Sequence, residues 1–540
     1  MMQPSQGPRP KSNRPTSAIW SQLSNPLPQS RRNTTSFVST SGTFALQDSL
    51  FEVKGKRPWS WTHLKRRFKR QPRVTRIAIT VSSGLVCLYI VYLVIFGEYG
   101  KDILIDLDES PYLQKSSGSY SRAGRAKSIV CNPHISQDIP SASGVLSNGT
   151  HQFEPTVIVL SYDGLRADYL KRGLTPTMLS VGEQGIKAEF MQPSFPTLTF
   201  PNHYTMCTGL YPSSHGIVAN MFYDPALNED FNYRIPEKSW DPKWWGGEPI
   251  WETAVRQNQR SGVIMWPGGE ALRTIQPTYH VRHKSATPVQ AKMDTLLEWL
   301  DKPAEERPTV MTVYISEVDT AGHYYGPDSK RVQKALTQVD TALASLLEGL
   351  RARNLDQIVN LMLVSDHGMS YVTETQSIYY DDYIDPSELI LEESLQPHLG
   401  VHTKDPKRLQ DVYQALKLAQ ARNNLPFKVY KREEVPARYH YSNNPRIAPV
   451  VVLADPGYVM TRRDMDVAVV GVHGWDNEME EMRAIFMASG PAFPQHAQPL
   501  PAIENVELYE IIARTVGLKI REGATDGVRG GWASRPCSGH

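Results

Sequence analysis

Three unbroken apolar runs divide the chain: Thr156–Ser161 (TVIVLS), Thr309–Ser316 (TVMTVYIS) and Ile358–Ser365 (IVNLMLVS). Each is rich in β-branched residues, shows little polar alternation and is too short for a typical helix, which predicts strands buried on both faces. Helical spacing appears between them. Ser329–Leu350 carries Leu336, Val339, Leu343, Leu346, Leu347 and Leu350 at intervals that fall on one helix face, Thr287–Leu300 is a second such segment, and Val506–Val516 is a last one. Strands alternating with helices predict an α/β fold with a mostly parallel central sheet flanked by helices. Residues of about 375–465 hold neither pattern for long and read as an inserted α+β subregion, followed by a return near Asp466–Val470. No repeat of solenoid length is present.

A different kind of apolar run lies upstream. Ile77–Phe96 (IAITVSSGLVCLYIVYLVIF) is free of charge over twenty residues, the length a helix needs to span a bilayer. Ten basic residues and no acidic one lie between Lys54 and Arg76, whereas Glu98, Asp102, Asp106, Asp108 and Glu109 follow the run. The positive-inside rule then places residues 1–76 in the cytoplasm and the bulk of the chain outside or in a lumen. The run begins too far from the N-terminus for a cleaved leader, so 77–96 is expected to be a single-pass signal anchor. This asymmetry is hidden in the overall charge of only +2.

The segment before the anchor, rich in Ser, Pro, Gln and Asn over residues 1–53, has too few apolar residues to offset chain entropy and is expected to be disordered. Residues 97–153, with their Ser/Gly clusters, are expected to form a stalk, 154–520 the catalytic domain and 521–540 a C-terminal tail. Asn148-Gly149-Thr150 would be lumenal and is a candidate glycosylation site; Asn33-Thr34-Thr35 would be cytoplasmic. Four cysteines are too few for a disulfide scaffold, and with Cys87 inside the anchor at most one internal bridge is open to Cys131, Cys207 and Cys537.

Each buried strand runs directly into metal-type ligands. The first ends in Asp163, the second is followed by Asp319 and His323, and the third by Asp366 and His367; His473 sits later between glycines. Parallel sheets bind ligands beyond the carboxyl ends of their strands, so these five residues and His473 should meet at one edge. Asp and His together suit a divalent metal such as Zn²⁺. Phe195–Asn220 (FPTLTFPNHYTMCTGLYPSSHGIVAN) adds a hydroxyl. Pro201 is placed to open a short helix ending near Gly209, with Thr199 at or just before its N-terminus, where N–H groups and partial positive charge suit an anion. Two zinc ions about 4 Å apart would flank the attacking and leaving oxygens of an in-line phosphoryl displacement, with Thr199 as nucleophile.

The segments YDGLR (Tyr162–Arg166), PTLTFPNHY (Pro196–Tyr204), TGLYPSSHGIVAN (Thr208–Asn220), GEPIW (Gly247–Trp251), EVDTAGHYYGP (Glu317–Pro327), SDHGM (Ser365–Met369) and VHGWDN (Val472–Asn477) occur in order. Together they resemble the nucleotide pyrophosphatase/phosphodiesterase (type I phosphodiesterase) family of the alkaline phosphatase superfamily, in its short type II membrane form without cysteine-rich repeats or an additional C-terminal domain. The resemblance implies an alkaline-phosphatase-like fold and two Zn²⁺ ions. It gives Asp163, Thr199, Asp366 and His367 to one ion and Asp319, His323 and His473 to the other. It implies a covalent intermediate on Thr199, a phosphate contact from Asn220 with the Phe200 N–H, and a nucleobase held against the Phe200 ring. Where the family often places a facing tyrosine this chain has His283, with Tyr279 a turn away. The specificity pocket is expected around Phe200, Trp245, Trp266 and His283. His203 and His215 are expected to support or pack rather than to ligate.

The implied activity is hydrolysis of nucleotide phosphodiester or pyrophosphate bonds, with release of a nucleoside 5′-monophosphate. Two alternatives stand beside it: a lipid or choline phosphodiesterase of the same superfamily, and a catalytically inactive ectodomain used for binding. The expected partners are a phosphodiester small molecule and the membrane, and no nucleic-acid-binding module is evident.

Overall fold

The computed structural model describes residues 144–527 apart from 374–375, 394–396, 466–469 and 497. The expected tail, signal anchor and most of the stalk lie outside the described residues, as do Cys131, Cys537 and most of the return at 466–470. Among the described residues, no helix is long and apolar enough to cross a membrane. Cys207 is a buried free thiol.

In chain order the elements that build the site are β1 (Thr156–Tyr162), β2 (Ile186–Lys187), α1 (Thr199–Thr208), β3 (Ser261–Ile264), β4 (Tyr279–Val281), α2 (Val289–Leu300), β5 (Val310–Ile315), α3 (Glu317–Tyr325), α4 (Lys330–Ala352) and β6 (Val359–Val364). They are followed by β7 (Ile390–Glu392), β8 (Leu399–His402), α5 (Pro406–Asn423), β9 (Phe427–Lys431), β10 (Val450–Ala454), β11 (Gly471–Val472), β12 (Phe486–Ser489) and α6 (Leu508–Thr515). The three apolar runs are thus β1, β5 and β6, within a residue or two of the expected limits. The helical segments are α2, α4 and α6. Ser329 caps α4, its Oγ accepting from the Val332 N–H at 3.2 Å.

The central sheet has seven strands in the order β2-β12-β6-β1-β5-β3-β4. The ladders from β6 through β1, β5 and β3 to β4 are parallel, whereas β12 runs antiparallel to both β6 and β2. The sheet is therefore mixed. The expectation of a mostly parallel sheet misses β12, which follows β11 through a loop and no crossover helix, so nothing forces it to run with its neighbours.

Side chains of β1 alternate between two cores. Val157 and Val159 pack on one face with Tyr204 and Met206 of α1 and Leu508 of α6. Ile158, Leu160 and Tyr162 pack on the other with Leu296 of α2 and Leu336 and Val339 of α4. All seven residues of β1 are buried, each large aliphatic side chain contributing about 1.5–3 kcal/mol. The strand ends that carry the site are anchored at the centre of this three-layer arrangement.

The region of about 375–465 supplies a second, antiparallel sheet in the order β7-β8-β10-β9, with α5 packed on it through Val412 and Leu416. It meets the main body at a hairpin, Met221–Asp224 paired with Glu229–Asn232. There Glu392 Oε1 accepts from the Tyr223 N–H at 3.0 Å and contacts His402 Nε2 at 2.8 Å. The end of the expected stalk is already folded. Leu146–Ser147 pairs with Gln152–Phe153, Phe153 is buried, and Asn148 Nδ2 donates to the Arg353 carbonyl at 2.9 Å.

Candidate active site

Parallel pairing of β1 with β5 and β6 sets the three strand ends side by side. Beyond β1, Asp163 donates its N–H to the Ile315 carbonyl at 2.8 Å, and its own carbonyl accepts the Asp319 N–H at 3.1 Å. This close approach requires Gly164: its φ is +67°, and a Cβ there would lie 2.9 Å from the Asp319 Cα. Asp319 and His323, four residues apart on α3, project from one helix face, with His323 Nε2 3.4 Å from Asp319 Oδ1. Beyond β6, Asp366 Oδ1 accepts N–H groups from Gly164 at 3.1 Å and His367 at 3.0 Å.

The six Asp and His residues named at the strand ends and in the glycine loop form one contiguous cluster. His367 Nε2 lies 3.0 Å from Asp366 Oδ2 and 3.4 Å from Asp163 Oδ1. The His367 ring stacks on His473 with centroids 3.6 Å apart. His473 Nε2 is in turn 3.1 Å from His323 Nε2 and 3.5 Å from Asp319 Oδ1. The other nitrogen of each imidazole faces a backbone carbonyl at 2.8 Å: Gly368 for His367, Thr197 for His473 and Gly471 for His323. If each Nδ1 donates there, every Nε2 is left as an acceptor aimed into the cluster, the tautomer a metal needs.

Electrostatics point the same way. Burial pushes the Asp163 carboxyl well above the usual carboxylate range, reinforced by the charges of Asp319 and Asp366. Burial also raises Asp319. Burial opposes ionisation of Asp366 as well, but His367 and His203 outweigh it and hold that carboxyl well below the usual range. His473 is driven well below the imidazole range by burial and by neighbouring His367 and His323. Asp163 Oδ1, Asp319 Oδ1 and Asp366 Oδ2 are buried without a hydrogen-bond partner. Three orphaned carboxylate oxygens among imidazole acceptors would be costly alone, and they fit divalent cations. By proximity the groups fall into Asp163, Asp366 and His367, and Asp319, His367 and His473, so His367 is within reach of both.

Thr199 is the first residue of α1, preceded by an extended Leu198, and Pro201 is the third residue rather than the first. The Thr199 side chain is 8% exposed, with Oγ1 3.3 Å from His367 Nε2. Pro201 has no N–H, Asn202 donates to the Leu198 carbonyl at 3.1 Å, and Phe200 donates to Asn220 Oδ1 at 2.9 Å. The Phe200 N–H, expected to meet a phosphate together with Asn220, is therefore engaged by Asn220 itself.

Two supporting groups emerge. Tyr314, near the end of β5, donates its hydroxyl to Asp163 Oδ2. His203 lies one helical turn beyond Thr199, fully buried, with Nδ1 3.0 Å from the Thr199 carbonyl and 3.3 Å from Asp366 Oδ2 and Nε2 2.8 Å from Ser161 Oγ. The four-residue spacing was a readable signal for His203, whereas nothing in the sequence singled out Tyr314. His215 bonds Thr205 and the Ile217 N–H and is a packing residue.

A cavity of about 980 Å³ opens over the cluster, lined by Asp163, Thr199, Asp319, His323 and His473 and by Phe200, Asn220, Phe231 and Tyr233. The pocket expected around Phe200, Trp245, Trp266 and His283 is only partly there. Trp245 and Trp266 are buried behind the wall. His283 is exposed, lies 6.2 Å ring to ring from Tyr314, and is not part of the lining, which passes through Ser285. The aromatic side chain against Phe200 at this wall is Tyr233, brought there by the hairpin, with centroids 4.9 Å apart.

A sheet edge that gathers carboxylates and imidazoles around a threonine at a helix start defines a metal-type hydrolase site. Residues 157–476 match the family described as type I phosphodiesterase / nucleotide pyrophosphatase. A pyrophosphatase/phosphodiesterase of Schizosaccharomyces pombe, itself uncharacterized, is 41% identical over 391 residues, covering 70% of this chain and 80% of that protein. Rat ectonucleotide pyrophosphatase/phosphodiesterase family member 3 is 37% identical over 365 residues, covering 66% of this chain but only 42% of the relative. Among solved structures, mouse ectonucleotide pyrophosphatase/phosphodiesterase 5 superimposes with a TM-score of 0.64 at 33% identity, over 69% of this chain and 98% of that one. An inactive variant of that mouse protein has been solved in complex with AMP. The chain belongs to the type I phosphodiesterase / nucleotide pyrophosphatase family and is a hydrolase.

Proposed function

We propose that this protein is a two-zinc phosphodiesterase and nucleotide pyrophosphatase. It cleaves a phosphodiester or pyrophosphate bond through a covalent intermediate on Thr199 and releases a nucleoside 5′-monophosphate. The observation that carries this reading is Thr199 Oγ1 at the start of α1, 3.3 Å from His367 Nε2 and beside buried carboxylate oxygens with no other partner. Asp163, Thr199, Asp366 and His367 would hold one Zn²⁺, and Asp319, His323 and His473 the other. Bound there, the ions would supply Lewis-acid charge that activates a hydroxyl and offsets charge on phosphoryl oxygens.

The chain's own groups supply position. His203 and the α1 backbone fix the Thr199 carbonyl, and Tyr314 fixes Asp163. Asn220, its oxygen held by the Phe200 N–H, is left with its amide N–H₂ for a phosphate oxygen. In the first displacement the Thr199 Oγ–P bond forms, the hydroxyl proton passes to solvent, and the bond from phosphorus to the leaving oxygen breaks. In the second, water forms the new P–O bond and gives up a proton to solvent, the Thr199 Oγ–P bond breaks, and the Thr199 oxygen takes a proton back from solvent. The nucleotide preference draws support from the AMP complex of the mouse relative.

The uncharged span Ile77–Phe96 and its basic flank support a single-pass anchor with the catalytic domain on the lumenal or outer face. Asn148 in its sequon is half-buried, with Oδ1 accepting from the Thr150 N–H and hydroxyl, both at 3.0 Å. The test of function compares nitrophenyl esters of thymidine monophosphate, phosphate and phosphocholine, with chelator and then zinc. Chelator-sensitive cleavage of the nucleotide diester is expected. Preferential cleavage of the choline ester would transfer the function to lipid or choline substrates.

A further inference from the structure

Phe200 is not arranged to clamp a base between two rings. It already touches Tyr233, with centroids 4.9 Å apart and planes at 45°, which is contact distance for an aromatic pair and leaves no slot between them. His283, the residue in position to face it by sequence, does not line the cavity.

Charge occupies this end instead. Arg234 and Lys238 both line the cavity beside Tyr233. Neither has a carboxylate partner among the described residues, although nearby cations do: Lys243 pairs with Glu229 and Asp241, Arg273 with Glu252, and Arg446 with Asp224. Arg234 Nε donates to the Tyr233 hydroxyl at 3.1 Å, and its guanidinium carbon lies 5.4 Å from the Tyr233 ring centroid. That contact orients the guanidinium and leaves its two terminal nitrogens for a bidentate anion. Three carboxylates also line this end, but Glu392 contacts His402 and Glu393 pairs with Arg462, which leaves Asp230 as the carboxylate set against the two cations. The reacting phosphate needs neither cation, because Thr199, Asn220 and the Asp/His cluster already surround it.

We propose that Arg234 and Lys238 form a subsite for a second, non-scissile phosphate, and that the preferred substrates are nucleotides carrying a phosphate ester on the ribose beside the bond that is cut. The proposal rests on the nucleotide phosphodiesterase reading above and makes the cavity selective by charge more than by base identity. The ribose 2′ and 3′ oxygens are the positions at which such a phosphate is carried on the nucleoside side.

The test uses the full chain in detergent with zinc, and measures kcat/KM for NADP⁺ against NAD⁺ and for coenzyme A against dephospho-coenzyme A. In at least one pair the phosphorylated member is expected to be favoured about tenfold, mainly through KM, which corresponds to about 1.4 kcal/mol. Preference in the first pair alone assigns the 2′ position, and in the second alone the 3′ position. The ratio should shrink as salt is raised, because both cations are solvent-accessible. Arg234→Ala combined with Lys238→Ala should bring it to about one. Equal values within both pairs, with all four compounds cleaved, would overturn the subsite. Cleavage of none of the four, nor of the thymidine ester, would overturn the underlying function instead.

Discussion

His203 offers the sharpest test of how the fold serves the site. Its imidazole is fully buried and touches three elements: the Thr199 carbonyl of α1 at 3.0 Å, Asp366 Oδ2 beyond β6 at 3.3 Å, and Ser161 Oγ of β1 at 2.8 Å. Leucine has a similar volume, so His203→Leu removes the polar links with little cavity. The Ser161 hydroxyl would then be buried and unpaired, at a cost of about 1–3 kcal/mol. The helix start bearing Thr199 would lose its tie to the metal-side carboxylate, and removal of groups that orient metal ligands typically lowers affinity or activity about 10–100-fold. Ser161→Ala alone should cost about 1 kcal/mol and only a few-fold in rate, because the Thr199 and Asp366 contacts survive. The double variant should be no worse in stability than His203→Leu, since the shared bond is lost only once. Denaturant unfolding, zinc content and kcat/KM measured on the same preparations separate these effects. A His203→Leu protein with wild-type kcat/KM and zinc content would refute the positioning role, whatever its stability.

Four other outcomes are expected. Thr199→Ala should abolish turnover of the thymidine ester while leaving zinc content and the melting transition nearly unchanged. Asp319→Asn should lower the zinc stoichiometry measured by emission spectrometry and reduce kcat by a large factor, because Asp319 Oδ1 is a buried oxygen with no other partner. Asp224 is held below the usual carboxylate range: burial opposes this, but the Leu227 and Ala226 N–H groups and Arg446 outweigh it. A depressed folded-state value stabilises above the unfolded value of 3.8 and is lost as pH falls through the lower folded value. Asp224→Asn should therefore destabilise by about 3 kcal/mol at pH 7, with the difference from wild type vanishing in acid melts. Asn148→Gln should increase gel mobility of the secretory-pathway form while Asn33→Gln does not; the reverse would invert the proposed topology.

The parts of the site on long buried strands were legible. Continuous β-branched runs fixed β1, β5 and β6, parallel pairing fixed which ends share an edge, and Asp163, Asp319, His323, Asp366 and His367 followed. Thr199 was legible because Pro201 can only stand near a helix start, although it proved to be the third helical residue. Elements of two to four residues were not legible, since β2, β12 and the hairpin at Met221–Asn232 are too short to show a period. The mixed character of the sheet and the position of Tyr233 depend on those elements. The placement of His283 failed for a related reason. The resemblance gives the loop that carries the facing position, but only packing decides which of its side chains faces the cavity, and there Ser285 does.

The most direct test of the central claim is the stereochemical course at phosphorus. A nucleotide diester made chiral with sulfur and hydrolysed in ¹⁸O-water should yield product with retained configuration, the sum of two in-line displacements through Thr199. Inversion would mean that water attacks directly and that Thr199 forms no covalent intermediate.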